Sequence, residues 1–219
     1  MIRFERVSKG FGPLVLFEGL DLEVRRGEVL ALLGPSGCGK TTLLDLAAGL
    51  LSPDDGRIEA PRSRSYVFQE PRLLPWESVL ENAAYAMDPA IPRTDRMERA
   101  RAMLEVFELT EAADKRPDEI SGGMARRTAL ARALLAPHDV LLLDEPFSSL
   151  DPSLRGRIID RTAPRITESA VILVTHDHAA ASRLADRILL LSPPPVRMHS
   201  LDRADLAGAI AEIEAAEKS

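Results

Sequence analysis

Gly34-Pro35-Ser36-Gly37-Cys38-Gly39-Lys40-Thr41 fits the pattern G-x-x-x-x-G-K-[ST], a spacing suited to cradling phosphates. Its glycines let successive backbone N–H groups curl around an anion, and a helix starting directly afterwards aims the positive end of its dipole at the same place. Lys40 then supplies a point charge to the β- and γ-phosphates of a nucleotide, and the Thr41 hydroxyl is offered to Mg²⁺. Further along, Val140-Leu141-Leu142-Leu143-Asp144-Glu145 is an apolar run ending in two acids. Buried strands do not end in paired carboxylates without a partner, because desolvating them is costly. Mg²⁺ provides that partner for Asp144. Glu145, one residue on, faces the γ-phosphate, where it can polarise an attacking water.

Two further segments belong to the same chemistry. Ile120-Ser121-Gly122-Gly123-Met124 opens a helix with two glycines, which costs stability unless the backbone must be approached closely. Ser121 also suits an N-cap, and the two roles are compatible because both use free N–H groups at a helix start. Val171-Ile172-Leu173-Val174-Thr175-His176-Asp177 sets a histidine just beyond an apolar run. In an open parallel sheet that is the carboxyl edge where ligands bind, so His176 can hydrogen-bond the γ-phosphate. Cys38 lies inside the phosphate loop beside a helix N-terminus that can lower a thiol's pKa. Alkylation there is expected to inhibit, with Mg-ATP protecting, and serine should serve equally.

The elements that must position these groups follow from the patterning. Residues 20–24 alternate as a half-exposed strand, and 2–7 do so in part. Runs 29–33, 140–143, 171–174 and 188–191 are continuously apolar, as strands buried on both faces are. Residues 57–59 and 65–68 are further short strands. Helices are expected at 41–48, at 83–87 after the capping box Ser78-Val79-Leu80-Glu81, at 95–109, and at about 122–136. A charged helix carrying Leu206, Ile210 and Ile213 is expected from residue 202.

The 219 residues, 45% hydrophobic and 28% charged, can bury a proper core. A formal net charge of −6 argues against nucleic acid as the main partner, since phosphate backbones need a concentrated basic surface. No apolar run approaches the ~20 residues of a membrane helix, and the N-terminus lacks the apolar core of a signal peptide. A single cysteine excludes an internal disulfide framework. A soluble chain that stays in the cytoplasm is expected.

The order of phosphate loop, Gln69, Ser121-Gly122-Gly123, Asp144-Glu145, Ser149-Leu150-Asp151 and His176 resembles the ATP-binding-cassette ATPases, over nearly the whole chain. The resemblance implies an α/β fold: a P-loop NTPase parallel-sheet core with an N-terminal antiparallel β subdomain and an inserted α-helical subdomain. Residues 1–76 and 138–195 would form the core and β subdomain, about 77–137 the helical subdomain, and 196–219 a C-terminal helical tail. It implies ATP and Mg²⁺ as cofactors. The nucleotide-binding set would be Phe11 stacked on adenine, Gly34, Pro35, Ser36, Gly37, Cys38, Gly39, Lys40, Thr41 and Thr42. Thr41, Gln69 and Asp144 would hold the metal, while Glu145, His176, Lys40 and Gln69 would carry catalysis. Ser121, Gly122, Gly123 and Asp151 would act across a seam on ATP held by a second copy of the chain. Phe68-Gln69-Glu70-Pro71-Arg72-Leu73-Leu74-Pro75-Trp76 is similar to a segment of importers of nitrate, sulfonate and taurine and of related thiamine-precursor systems, as is Met124 where glutamine is commoner. That implies an ATPase seated on transmembrane permease subunits at the cytoplasmic face of the membrane, served indirectly by a solute-binding protein. Trp76 would then be partly buried in a groove, with Leu73 or Leu74 lining the docking surface. The rival readings are a soluble cassette acting on nucleic acid or ribosomes, an exporter or lipid-transport subunit, and a P-loop kinase. They fit less well: the chain has no coiled-coil insertion or second cassette, and a kinase has no use for Ser121-Gly122-Gly123.

Overall fold

The computed structural model describes residues 1–201 and 208. Two sheets build the fold. β1 (Ile2–Phe11) and β2 (Leu14–Val24) form an antiparallel hairpin, and β4 (Asp55–Glu59) pairs with the other edge of β1. The second sheet has the order β5-β6-β7-β3-β8-β9. Its members are β3 (Val29–Leu33), β5 (Arg64–Val67), β6 (Val140–Asp144), β7 (Ala170–Val174), β8 (Arg187–Leu191) and β9 (Met198–Leu201). The first five strands are parallel, and β9 runs antiparallel along β8.

Every residue of β3, β6 and β7 is buried, because both faces of this sheet are covered. Alternate side chains of β6 go to opposite sides. Leu142 packs with Leu43 and Leu44 of α1 (Lys40–Ala48) and with Phe4 and Phe17 of the hairpin. Leu141 and Leu143 pack towards five helices: α2 (Val79–Ala84), α3 (Arg93–Val106), α4 (Gly122–Leu135), α5 (Pro152–Thr162) and α6 (His178–Leu184). No helix among the described residues is long and apolar enough to cross a membrane.

The structure shifts some boundaries. α2 begins directly at the capping box rather than at residue 83, since a box fixes the residue that precedes the helix. Ser78 Oγ accepts from Glu81 N at 3.1 Å, and Ser78 N donates to Glu81 Oε2 at 3.3 Å. α3 ends before the expected residue 109, where Glu108 takes φ +55 and Leu109 N closes onto Leu104 O. Within the stretch 196–219, expected as a helical tail, Met198–Leu201 is instead strand β9. The open edge of β8 offers unpaired N–H and C=O groups, which an antiparallel partner satisfies. The helix expected around Leu206, Ile210 and Ile213 lies outside the described residues.

Candidate functional site

The phosphate loop joins the end of β3 to α1. Gly34 takes φ +150, and a Cβ there would stand 2.7 Å from Leu191 O, so only glycine fits. α1 opens at Gly39 with no side-chain cap and no acid in its first turn, which leaves its start suited to an anion. Lys40 is buried, and its Nζ donates to Gly34 O at 2.6 Å and Pro35 O at 2.9 Å. Thr41 Oγ1 donates to Asp144 Oδ2 at 2.9 Å. The loop is therefore joined directly to the end of β6.

Asp144 is 3% exposed, and burial raises its pKa against the opposing pull of Thr41 and Lys40. Glu145 sits at φ +49, its N–H bonded to Val174 O at 2.9 Å. Its Oε1 is buried, accepts no hydrogen bond, and stands 3.5 Å from His176 Nε2. Burial, reinforced by Asp144 alongside, pushes the Glu145 carboxyl up to about 7. His176 follows β7, where Asp177 N bonds Thr175 Oγ1 at 2.9 Å and Asp177 caps α6. Parallel pairing of Val67 with Leu143 puts exposed Gln69 on the same sheet edge as Glu145. Thr41, Asp144 and Gln69 offer only oxygen or amide ligands, a donor set suited to Mg²⁺. Phe11 lies 48% exposed at the hairpin end. With Leu14, Leu16, Gly37, Gly39, Lys40, Thr41 and Thr42 it lines a cavity of about 250 Å³.

The second group of expected residues forms its own cluster. Ser121 caps α4, accepting from Met124 N at 3.3 Å. A Cβ at Gly123 would meet Ser149 O and Leu150 Cδ2 at 3.4 Å, whereas one at Gly122 would meet nothing within 4 Å. Among the described residues nothing thus requires glycine at 122. Asp151 caps α5 through Leu154 N at 3.0 Å.

Two expectations change. Cys38 is 1% exposed, and burial pushes its thiol up rather than letting the helix start pull it down. Maleimide at pH 7.5 is therefore expected to label nucleotide-free Cys38 at least about tenfold more slowly than a free thiol, and mass spectrometry of timed samples checks this. Cys38→Ser should keep its ATPase rate. Trp76, expected half-buried, is 67% exposed. Leu73 and Leu74 are half-buried, because the buried Asn82 fixes the backbone of the loop. Asn82 Oδ1 accepts from Leu74 N at 2.8 Å, and its Nδ2 donates to Leu74 O, Glu77 O and Ser78 O at 3.1, 3.2 and 3.0 Å.

Sequence reasoning missed three anchors of this region: Asn82, Arg126 and Arg132. Arg132 donates to Pro71 O and Arg72 O at 3.0 and 3.1 Å, and Arg126 donates to Gln69 O at 2.9 Å. A capped helix start pointed at Asn82, but not at its partners. Arginines spaced along a helix read as a solvated face.

The ABC transporter family model matches residues 17–148. The aliphatic sulfonates import ATP-binding protein SsuB 3 of Rhodococcus jostii is 46% identical over 187 residues, 84% of this chain and 69% of that protein. The corresponding protein of a Mycobacterium species is 46% identical over 202 residues, 90% of this chain and 80% of its own length. Among solved structures, the dimeric post-hydrolysis state of the ATP-binding cassette MJ0796, bound to ADP and Pi, superposes with a TM-score of 0.82. It shares 26% identity and covers 92% of this chain and 99% of its own. With a phosphate loop bonded to Asp144, and Glu145 and His176 on the same edge, the chain belongs to the ABC transporter family as one of its ATP-hydrolysing subunits.

Proposed function

We propose that this chain powers a membrane importer for an aliphatic sulfonate, working as a pair of copies with two ATP molecules between them. The observation that carries the ATPase reading is Glu145 Oε1, a buried carboxylate oxygen with no hydrogen bond, beside Asp144 and His176. Buried polar atoms left unpaired are rare and point to a function. The sulfonate assignment is supported by the relatives named above, both aliphatic sulfonates import ATP-binding proteins.

In this reading Phe11 stacks on adenine and Lys40 exchanges its loop carbonyls for the β- and γ-phosphates. Thr41, Asp144 and Gln69 are the residues that would hold Mg²⁺, which when bound neutralises phosphate charge. Glu145 accepts a hydrogen bond from the attacking water and polarises it, while His176 donates to the γ-phosphate. Ser121, Gly122 and Gly123 of a second copy close over that phosphate, with Asp151 at the seam. The open space at Gly122 suits such an approach. Residues of about 77–137 act as the helical subdomain that meets the permease at the cytoplasmic face of the membrane, and a solute-binding protein delivers cargo on the other side. Cells lacking this chain should lose uptake of a labelled alkanesulfonate and regain it with wild type but not with Glu145→Gln. Loss of nitrate or taurine uptake instead would overturn the solute assignment.

Trp76 and Tyr85 are exposed, and Tyr85 lines a groove with Glu77, Glu81, Arg93 and Met97; exposed aromatics are common interface anchors. Trp76→Ala and Leu74→Asp should leave ATP binding and melting temperature nearly unchanged. Co-purification with the permease in mild detergent should weaken at least about tenfold, the effect of losing an anchor. If Leu74→Asp unfolds the isolated chain, the segment is core and the docking role fails.

A further inference from the structure

The turn that carries Glu145 is held from outside. Ser148 N and Ser148 Oγ both bond Glu145 O, at 3.3 and 3.0 Å. Arg126 Nη1 donates in turn to Ser148 O at 2.8 Å and to Ser148 Oγ. The other arm of the same guanidinium, Nη2, reaches Gln69 O at 2.9 Å. One planar fork thus joins three segments: the start of α4, the loop after β5, and the turn after the paired acids.

Glu145 is unusually dependent on that turn. Its φ of +49 is a conformation that L-residues adopt at a cost and keep only when the surroundings impose it. Its Oε1 has no hydrogen bond to fix it. The placement of the carboxylate therefore depends on its main chain, held by Val174 O at its N–H and by Ser148 at its carbonyl, together with the adjacent His176. Arg126 also buries its own Nε without a partner, an unfavourable arrangement that surface solvation of a helix charge would not require.

We propose that Arg126 is a positioning residue that transmits the location of the α4 start to Glu145 and to the Gln69 backbone. Ser121-Gly122-Gly123 lies one helical turn before it, on the same rigid helix. A displacement of the helix start moves the guanidinium, and with it both carbonyls it holds. The inference rests on the reading of Glu145 as the hydrolytic carboxylate.

The test is steady-state ATP hydrolysis by the full chain, as wild type, Arg126→Met, Arg126→Lys and Glu145→Gln, with melting temperatures. Small displacements of a catalytic group cost up to about a hundredfold. Arg126→Met is thus expected to lower kcat about ten- to hundredfold, with KM for ATP and melting temperature little changed. Arg126→Lys should restore only part of the rate, because an ammonium cannot span both carbonyls as a fork does. Adding Ser148→Ala to Arg126→Met should cost little more, since the two act in one chain of contacts. If Arg126→Met does not fold, Arg126→Gln, which keeps amide donors, takes its place with the same expectations. A normal kcat in Arg126→Met beside a dead Glu145→Gln overturns this inference alone. So does a loss in which KM and melting temperature shift together with kcat, or full rescue by lysine. Normal turnover in Glu145→Gln overturns the reading beneath it, and this inference with it.

Discussion

Glu145→Gln is expected to bind ATP, stop hydrolysing it, and accumulate as an ATP-bound dimer that elutes early in size exclusion. Glutamine matches the shape of the carboxyl but cannot act as a base, and losing a general base costs about a hundredfold or more in rate. Near-normal ATPase activity would sink the role given to Glu145. The same variant has a second signature, visible without nucleotide or metal. The folded chain holds the Glu145 proton until about 7, whereas the unfolded chain releases it near 4.5. Between those values the folded state binds more protons, so this group's contribution to stability is present below 4.5 and is lost as pH rises through about 7. The difference corresponds to at most about 3 kcal/mol. In EDTA, Glu145→Gln should therefore melt several degrees above wild type at pH 8, with the gap closing towards pH 5. Thermal melts across that range decide it: a gap that does not depend on pH contradicts a buried carboxyl with a raised pKa.

Asn82→Ala is expected to be the most damaging substitution outside the nucleotide site. The side chain is fully buried and bonds three main-chain carbonyls and one N–H of the stretch 74–78. Leu74 O and Ser78 O keep backbone bonds from Glu77 N and Asn82 N, but alanine leaves Leu74 N and Glu77 O without this partner where water reaches them poorly, at about 1–3 kcal/mol each. Even a partial sum of about 3 kcal/mol lowers the melting temperature by roughly 6–12 °C in a chain of this size. The loop should loosen before the domain does. Trypsin should cut after exposed Arg72 in the variant at temperatures where wild type resists. A variant that melts within about 2 °C of wild type and resists trypsin would mean that the loop is held by Arg132 and its own prolines instead.

Much of this was legible because some segments have only one physical use. A glycine-rich turn between an apolar run and a helix binds anions, and Asp144-Glu145 at the end of a buried strand demands a partner. Continuous runs at 29–33, 140–143 and 171–174 marked strands covered on both faces, whereas their order in the sheet came only from the structure. What escaped was long-range and conditional. Arg126 is separated from Gln69 by 57 positions, and its neighbours in sequence give no hint that it turns inward. β9 has only four residues, too few for a pattern to show; it pairs along the edge that β8 leaves open. Cys38 was misjudged because proximity to a helix start was weighed without burial, and Trp76 because an aromatic directly after a proline can face either way. The burial of a side chain is set by distant segments, which local patterning does not contain.

The lysine of the phosphate loop has a consequence for exchange. A bare ammonium enclosed at 7% exposure would be costly to leave without partners. By resting on the carbonyls of Gly34 and Pro35, Lys40 finds those partners within its own loop. Incoming nucleotide must displace those two contacts, so part of its attraction is offset and its grip is weaker than the charge alone would give. Departing product meets a competitor already within reach.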